Sequence, residues 1–124
     1  HPGETVGSWM MRGVLNFLTD TENEEAKMLR ERFVFKIIPM LNPDGVINGN
    51  YRCSLAGCDL NRRWKTPNKH LHPTIYQTKK LIKDLHAERG LLVYCDLHGP
   101  PESRMFSCMD ATISIDRKNA EFFL

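Results

Sequence analysis

Two short apolar segments constrain the fold of this chain more than any other feature. FVFKIIP (33–39) and LLVYCDL (91–97) are rich in aromatic and β-branched residues, and each predicts a strand buried on both faces. Apolar residues recur at three- and four-residue spacing over 5–18 and 74–89, which predicts two amphipathic helices, with Gly90 placed to end the second. The order helix, strand, helix, strand predicts an α/β fold with helices on the faces of a sheet.

The segments between these elements are less regular. Residues 19–32 are polar and acidic, which predicts a surface connection with a short helical turn near 24–30, and residues 104–109 predict a third strand. Residues 40–64 are dense in turn formers such as NPDG, and a long loop of this kind is usually functional. Ligands of such sheets gather beyond the carboxyl ends of strands, so this loop and His98 would share a crevice if the two strands are parallel.

Length and composition exclude some classes of protein. The chain has 124 residues and a mass of 14.4 kDa, so residues 1–124 are predicted to be one domain or part of one. The first residue is not methionine, which predicts a processed or partial chain. No apolar run approaches the ~20 residues of a membrane span. The cysteines are too few and too scattered for a disulfide framework, which favours free thiols in a reducing compartment; they are Cys53, Cys58, Cys95 and Cys108.

The net charge of +2 is mild, but basic residues cluster at the end of the loop and just beyond it, at Arg62, Arg63, Lys65 and Lys69. Such a cluster is either a solvated face or a binding site for an acidic substrate or partner. No nucleic-acid recognition motif accompanies it, so we expect no nucleic-acid partner.

HPGE at residues 1–4 and the histidine after the second predicted strand form a candidate metal site. His1 and Glu4 are three positions apart, so at a helix entrance their side chains can converge on one ion, with His98 as the third ligand. Three nitrogen or oxygen ligands leave one position open, as at a catalytic zinc ion. Asp96, two residues before His98, is a candidate carboxylate for orienting an imidazole.

HPGE, NPDG, NGNYRCSLAGCDLNRRW (48–64) and YCDLHG (94–99) together resemble the M14 zinc metallocarboxypeptidases. Within that family they are most similar to the cytosolic carboxypeptidases, which remove glutamates from protein tails. The resemblance implies a mixed, largely parallel sheet flanked by helices, an α/β/α sandwich that is incomplete in this chain. It also implies a cytoplasmic enzyme with one Zn²⁺ ion, acting on acidic C-terminal tails such as that of polyglutamylated tubulin.

Carried over residue by residue, the resemblance assigns the zinc ligands to His1, Glu4 and His98. It assigns the carbonyl-polarising group to Arg52, and the pair that binds the terminal carboxylate of the substrate to Asn61 and Arg62. The residue types suit these roles, because a guanidinium can form a bidentate pair with a carboxylate or stabilise a developing oxyanion.

The chain departs from the family pattern in two places. The cytosolic group usually reads His-Gly-His at the third ligand, whereas here Pro100 follows Gly99. The general base of the family is a glutamate farther downstream, and neither Glu102 nor Glu121 lies where it is expected. We therefore expect the base beyond Leu124, an accessory domain before residue 1, and little hydrolysis by the isolated chain.

Three alternatives remain open at this point. An N-acyl amino acid deacylase resembling the aspartoacylase group would share the zinc ligands, and a related protein that binds glutamate tails without cutting them would share most of the motifs. A structural zinc module would instead use Cys53, Cys58, His70 and His72. Otherwise, His70, His72 and His86 are expected at the surface, and Tyr51 and Trp64 are expected to be packing groups.

Overall fold

The computed structural model describes residues 1–99 and the backbone of residues 113–117. Its elements, in chain order, are α1 (Thr5–Thr19), α2 (Glu24–Arg32), β1 (Phe33–Ile37), α3 (Pro43–Ile47), a 3₁₀ helix (Leu60–Arg62), α4 (Pro73–Arg89) and β2 (Ile113–Arg117). Within this described part, no helix combines the length and the apolar character needed to cross a membrane.

The predicted first helix is confirmed, with one more residue at its carboxyl end. Its buried residues, Gly7, Met11 and Leu18, lie on the face that packs against the rest of the chain. The carbonyl of Leu18, near the end of the helix, accepts a hydrogen bond at 2.7 Å from the guanidinium of Arg30. This contact satisfies one of the carbonyls that a helix end leaves unpaired, and it ties α2 to α1.

The acidic connection contains helix α2, which begins at Glu24 where a helical turn was predicted, but it continues to Arg32 and is longer than expected. The Asn23 side chain accepts a hydrogen bond from the Ala26 N–H at 2.9 Å and caps the helix. Glu24 and Glu25 in the first turn, and basic residues in the last, complement the helix dipole. Because Ala26 is the only buried residue of α2, the sequence shows no helical spacing of apolar residues from which the length of this helix could be predicted.

The NPDG motif starts the short helix α3 and not a simple turn. The Asn42 side chain caps this helix by accepting a hydrogen bond from the Gly45 N–H at 3.1 Å. Pro43 occupies the first turn, where a backbone N–H would have no partner within the helix, so the missing N–H of proline costs nothing. A Cβ atom at Gly45 would lie 2.7 Å from both the Cys53 carbonyl oxygen and Pro2 Cγ. Glycine therefore lets α3 pack directly against the HPGE turn.

The strands differ most from the sequence prediction. β1 is half-buried with Lys36 exposed, and it pairs antiparallel with β2, with Phe33 opposite Arg117 and Ile37 opposite Ile113. This pair joins β1 to a segment that was not predicted as a strand, so it does not test the expected parallel arrangement of 33–39 and 91–97. Residues 91–97 form no regular strand, only a single-residue bridge at Val93. An apolar run predicts burial but not which neighbour it pairs with, so periodicity could not fix either the direction or the pairing.

Helix α4 confirms the second predicted helix and ends as expected at Gly90, whose φ of +80° suits glycine. His72, expected at the surface, is buried instead: its Nδ1 accepts the Asn68 N–H at 3.0 Å just before the helix begins. His70 and His86 are exposed as expected. The predicted third strand, 104–109, lies outside the described residues.

Candidate metal centre and substrate-binding site

The HPGE segment forms a tight turn that places its first and last side chains together. The Glu4 N–H donates to the His1 carbonyl at 3.2 Å, and Gly3 has a φ of +88°, which other residues rarely adopt. Buried Pro2 accepts the Arg52 N–H at 2.9 Å through its carbonyl, which joins the turn to the long loop. As a result His1 Nδ1 lies 3.0 Å from Glu4 Oε1.

His98 reaches the same point from the other end of the described chain. Its Nδ1 lies 3.0 Å from His1 Nδ1 and 2.9 Å from Glu4 Oε2. The Gly99 N–H also donates to Glu4 Oε2, at 3.1 Å. One ligand atom from each of the three predicted ligands thus lies within 4.8 Å of the others.

A glycine in α1 allows this convergence. A Cβ atom at Gly7 would lie 2.8 Å from the Leu97 carbonyl oxygen, below any normal contact distance. The helix can therefore lie directly against the backbone that carries His98. Since Glu4 immediately precedes α1, the same packing sets the distance between Glu4 and His98.

Each imidazole is oriented by an aspartate on its far nitrogen. His1 Nε2 lies 2.7 Å from Asp59 Oδ1, and His98 Nε2 lies 3.1 Å from Asp96 Oδ2. Carboxylate acceptors at both Nε2 atoms favour the tautomers that keep the Nδ1 lone pairs free for a metal ion. The hydrogen bond to Asp96 raises the pKa of His98, although burial of the ring lowers it.

The donor set fits a divalent cation. Two unprotonated Nδ1 atoms 3.0 Å apart would repel each other unless a positive charge lies beside them. Among the described side chains around these nitrogens, three are carboxylates and one is a guanidinium, so acidic side chains outnumber basic ones; they are Glu4, Asp59, Asp96 and Arg52. Imidazole nitrogens with one carboxylate are typical catalytic zinc ligands.

Arg52 lies at the edge of this cluster in a strained backbone conformation, with φ of +61°. Its Nη1 donates to Glu4 Oε1 at 2.7 Å and its Nη2 to Asp59 Oδ2 at 3.1 Å. Burial opposes the charged form, but the hydrogen bond and charge of Asp59, together with the charge of Glu4, raise the pKa of the guanidinium. Arg52 is therefore a fixed cation next to the metal ligands.

Asp59 is the residue that sequence reasoning missed. Besides His1 and Arg52, it accepts the Asn61 N–H at 2.9 Å and so begins the 3₁₀ helix. It lies inside a motif that the sequence singled out, but nothing in the spacing links it to a histidine 58 positions earlier. Only the folded loop shows that contact.

The two residues assigned to the terminal carboxylate are placed differently. Asn61 lines a cavity of about 100 Å³ together with His1, Glu4, Arg52 and His98. Arg62, the next residue of the 3₁₀ helix, is exposed and is not among the residues that line this cavity. The structure thus gathers all the predicted site residues except Arg62 around one cavity.

The alternative zinc module has no counterpart in the described part of the chain. Within residues 1–99, the histidines, cysteines and acidic residues form a single group of three or more that could hold a metal ion, which is His1, Glu4 and His98. Cys53, Cys58 and Cys95 are free thiols in the described part of the chain. His72 is already bonded at the start of α4.

Comparison with known proteins decides the family. The sequence model of the Peptidase M14 family, described as zinc carboxypeptidase, matches residues 1–118. The chain belongs to the zinc carboxypeptidase family. It is 57% identical over 112 residues to cytosolic carboxypeptidase 1 of Xenopus laevis and 58% identical over 105 residues to cytosolic carboxypeptidase 4 of Mus musculus. These matches cover 87% and 84% of this chain but 9% of each relative, so the chain spans about a tenth of their length.

A solved structure supports the zinc carboxypeptidase fold. The chain is similar to a protein from Shewanella denitrificans assigned as carboxypeptidase A, with a TM-score of 0.66 and 36% identity. The match covers 81% of this chain and 26% of the other. The resemblance to zinc carboxypeptidases, and within them to the cytosolic group, is therefore confirmed.

Proposed function

We propose that this chain is part of the catalytic domain of a zinc-dependent carboxypeptidase that removes glutamate from the C-termini of acidic protein tails, such as that of polyglutamylated tubulin. One observation carries the proposal: His1, Glu4 and His98 converge at one point, next to Arg52 and Asn61 in a single cavity. The cytosolic carboxypeptidase names of the relatives support a carboxypeptidase and a cytoplasmic location.

His1, Glu4 and His98 would hold one zinc ion. When bound, zinc polarises a carbonyl and makes its water ligand acidic enough to attack near neutral pH. The aspartates supply orientation: Asp59 holds His1, and Asp96 holds His98, so that both Nδ1 atoms stay directed at the metal position.

The remaining residues would bind and orient the peptide. Arg52 carries a permanent charge beside the metal ligands, so it would stabilise the oxygen that becomes negative when water attacks. Asn61 would donate a hydrogen bond to the terminal carboxylate from within the cavity. Arg62, which is exposed on the same 3₁₀ helix, would complete the pair as the charged partner of that carboxylate.

The charge around the loop supports an acidic substrate. Four basic residues around the end of the 3₁₀ helix are exposed and attract negatively charged chains at long range; they are Arg62, Arg63, Lys65 and Lys69. A glutamate tail presents both a terminal carboxylate and repeated side-chain carboxylates. We therefore propose protein tails as the partners, without a nucleic-acid or membrane partner.

The test uses a graft, defined as the Xenopus laevis relative with its matching segment replaced by this chain. We expect the zinc-loaded graft to release glutamate from a glutamate-terminated peptide and to leave the C-terminal amide of the same peptide intact. Arg62→Gln should raise KM, because it removes the charged partner of the carboxylate, whereas Lys69→Gln in the same basic cluster should not.

Several outcomes would contradict this proposal. Equal hydrolysis of the acid and the amide would exclude recognition of a C-terminus. Release of acetate from an acylated amino acid, without glutamate release, would favour the deacylase. Tight binding of a glutamate tail without cleavage by the zinc-loaded graft would favour a non-catalytic binder.

A further inference from the structure

Trp64 makes a polar contact that its expected role as a packing group does not explain. Its indole Nε1–H donates to Asn61 Oδ1 at 2.8 Å. An indole N–H can only donate, so the atom that it meets must be the amide oxygen. The amide nitrogen of Asn61 is therefore the end that remains to donate to another group, and both residues line the cavity that contains the metal ligands.

Trp64 is itself held from two other parts of the chain. Its carbonyl accepts a hydrogen bond from Lys79 Nζ of α4 at 2.6 Å, and the same ammonium binds the Lys65 carbonyl at 2.8 Å. The indole also packs edge-on against Tyr94, with ring centroids 6.3 Å apart and planes at 84°. Because both the backbone and the ring of Trp64 are held in place, its N–H can hold the Asn61 amide in one orientation.

We propose that Trp64 is a positioning residue that holds the Asn61 amide in the one orientation able to bind the terminal carboxylate of the substrate. A carboxylate accepts hydrogen bonds and cannot donate them, so it needs the amide nitrogen. A flipped amide would present its oxygen to the carboxylate and repel it. This inference rests on the proposed function, since it concerns the residue to which that function assigns the carboxylate.

The test compares two tryptophan substitutions in the zinc-loaded graft. Trp64→Phe keeps an aromatic ring and removes the N–H, and we expect the KM for a glutamate-terminated peptide to rise about tenfold while kcat changes little. Trp9→Phe is the matched control, because Trp9 is 65% exposed on α1. In an Asn61→Ala background, Trp64→Phe should cause no further rise in KM, since the residue through which it acts is gone.

A second measurement reports on the contact without turnover. Removing Asn61 should shift the indole N–H resonance of Trp64 and speed its exchange with water. The inference would be overturned by an unchanged resonance, by equal KM values in the two tryptophan variants, or by the same KM rise with and without Asn61. An unmodified graft that hydrolyses no peptide would overturn the proposed function instead, and the indole resonance would still decide whether Trp64 holds Asn61.

Discussion

The candidate metal centre and the 3₁₀ helix that follows Asp59 are adjacent in space. They differ in how fully the protein's own contacts fix the positions of their side chains. The side chains of His1 and Glu4 are 5% and 6% exposed, and both contact several other groups of the site. Arg62, assigned to the same reaction, is exposed. Buried polar groups must be satisfied by the protein, whereas an exposed guanidinium is satisfied by water until a substrate arrives. The candidate metal ligands are therefore oriented by the fold, whereas Arg62, if it binds the terminal carboxylate as proposed, would be oriented by the fold and the ligand together.

Removal of one metal ligand should have the largest effect. We expect His98→Ala to abolish stoichiometric zinc binding by the graft, because two ligands remain and the affinity should fall by more than the roughly 100-fold typical of losing an outer partner. Zinc content after dialysis, measured by elemental analysis, checks this. His86→Ala removes an exposed histidine of α4 and should retain one zinc ion per molecule. Full zinc content in His98→Ala would show that the metal lies elsewhere.

The convergence of His1, Glu4 and His98 and the contact of Asp96 with His98 could be predicted from the sequence, whereas the contact of Asp59 with His1 could not. His1, Glu4 and His98 were proposed as ligands from their residue types and from the family resemblance, and the fold brings them together. The contact of Asp59 with His1 joins residues 58 positions apart, and the hydrogen bonds from Lys79 to the Trp64 and Lys65 carbonyls join α4 to the loop, so no periodic pattern in the sequence predicts them. Helices α1 and α4 were predicted because their apolar faces are buried, whereas α2 depends on its cap and end charges.

A comparison of Asp59 with Asp96 should separate the two regions. Asp59 contacts the candidate metal centre through His1, and it contacts the substrate-binding loop through Arg52 and the Asn61 N–H. Asp96 contacts the metal centre through His98. We expect Asp59→Asn and Asp96→Asn each to weaken zinc affinity by about 10- to 100-fold. At saturating zinc, only Asp59→Asn should also lower kcat/KM for the glutamate-terminated peptide.

Chelator competition measures the two zinc affinities, and steady-state kinetics at saturating zinc measures the second effect. Equal losses of kcat/KM in both variants would show that Asp59 has no separate role in the substrate-binding loop. Unchanged zinc affinity in Asp59→Asn would show that its contact with His1 does not orient a ligand.

The smallest effects should come from two glycines of the same helix. Gly7→Ala places a Cβ atom 2.8 Å from the Leu97 carbonyl oxygen, so α1 and the His98 segment must move apart, at a cost of about 1–3 kcal/mol in the free energy of unfolding. Gly13→Ala meets nothing within 4 Å and should stabilise the helix by about 0.8–1 kcal/mol. Thermal unfolding of the zinc-free graft compares them. Moving α1 away from the His98 segment also moves Glu4 away from His98, so Gly7→Ala should weaken zinc binding and Gly13→Ala should not. Equal zinc affinity in the two variants would mean that helix packing does not set the ligand geometry.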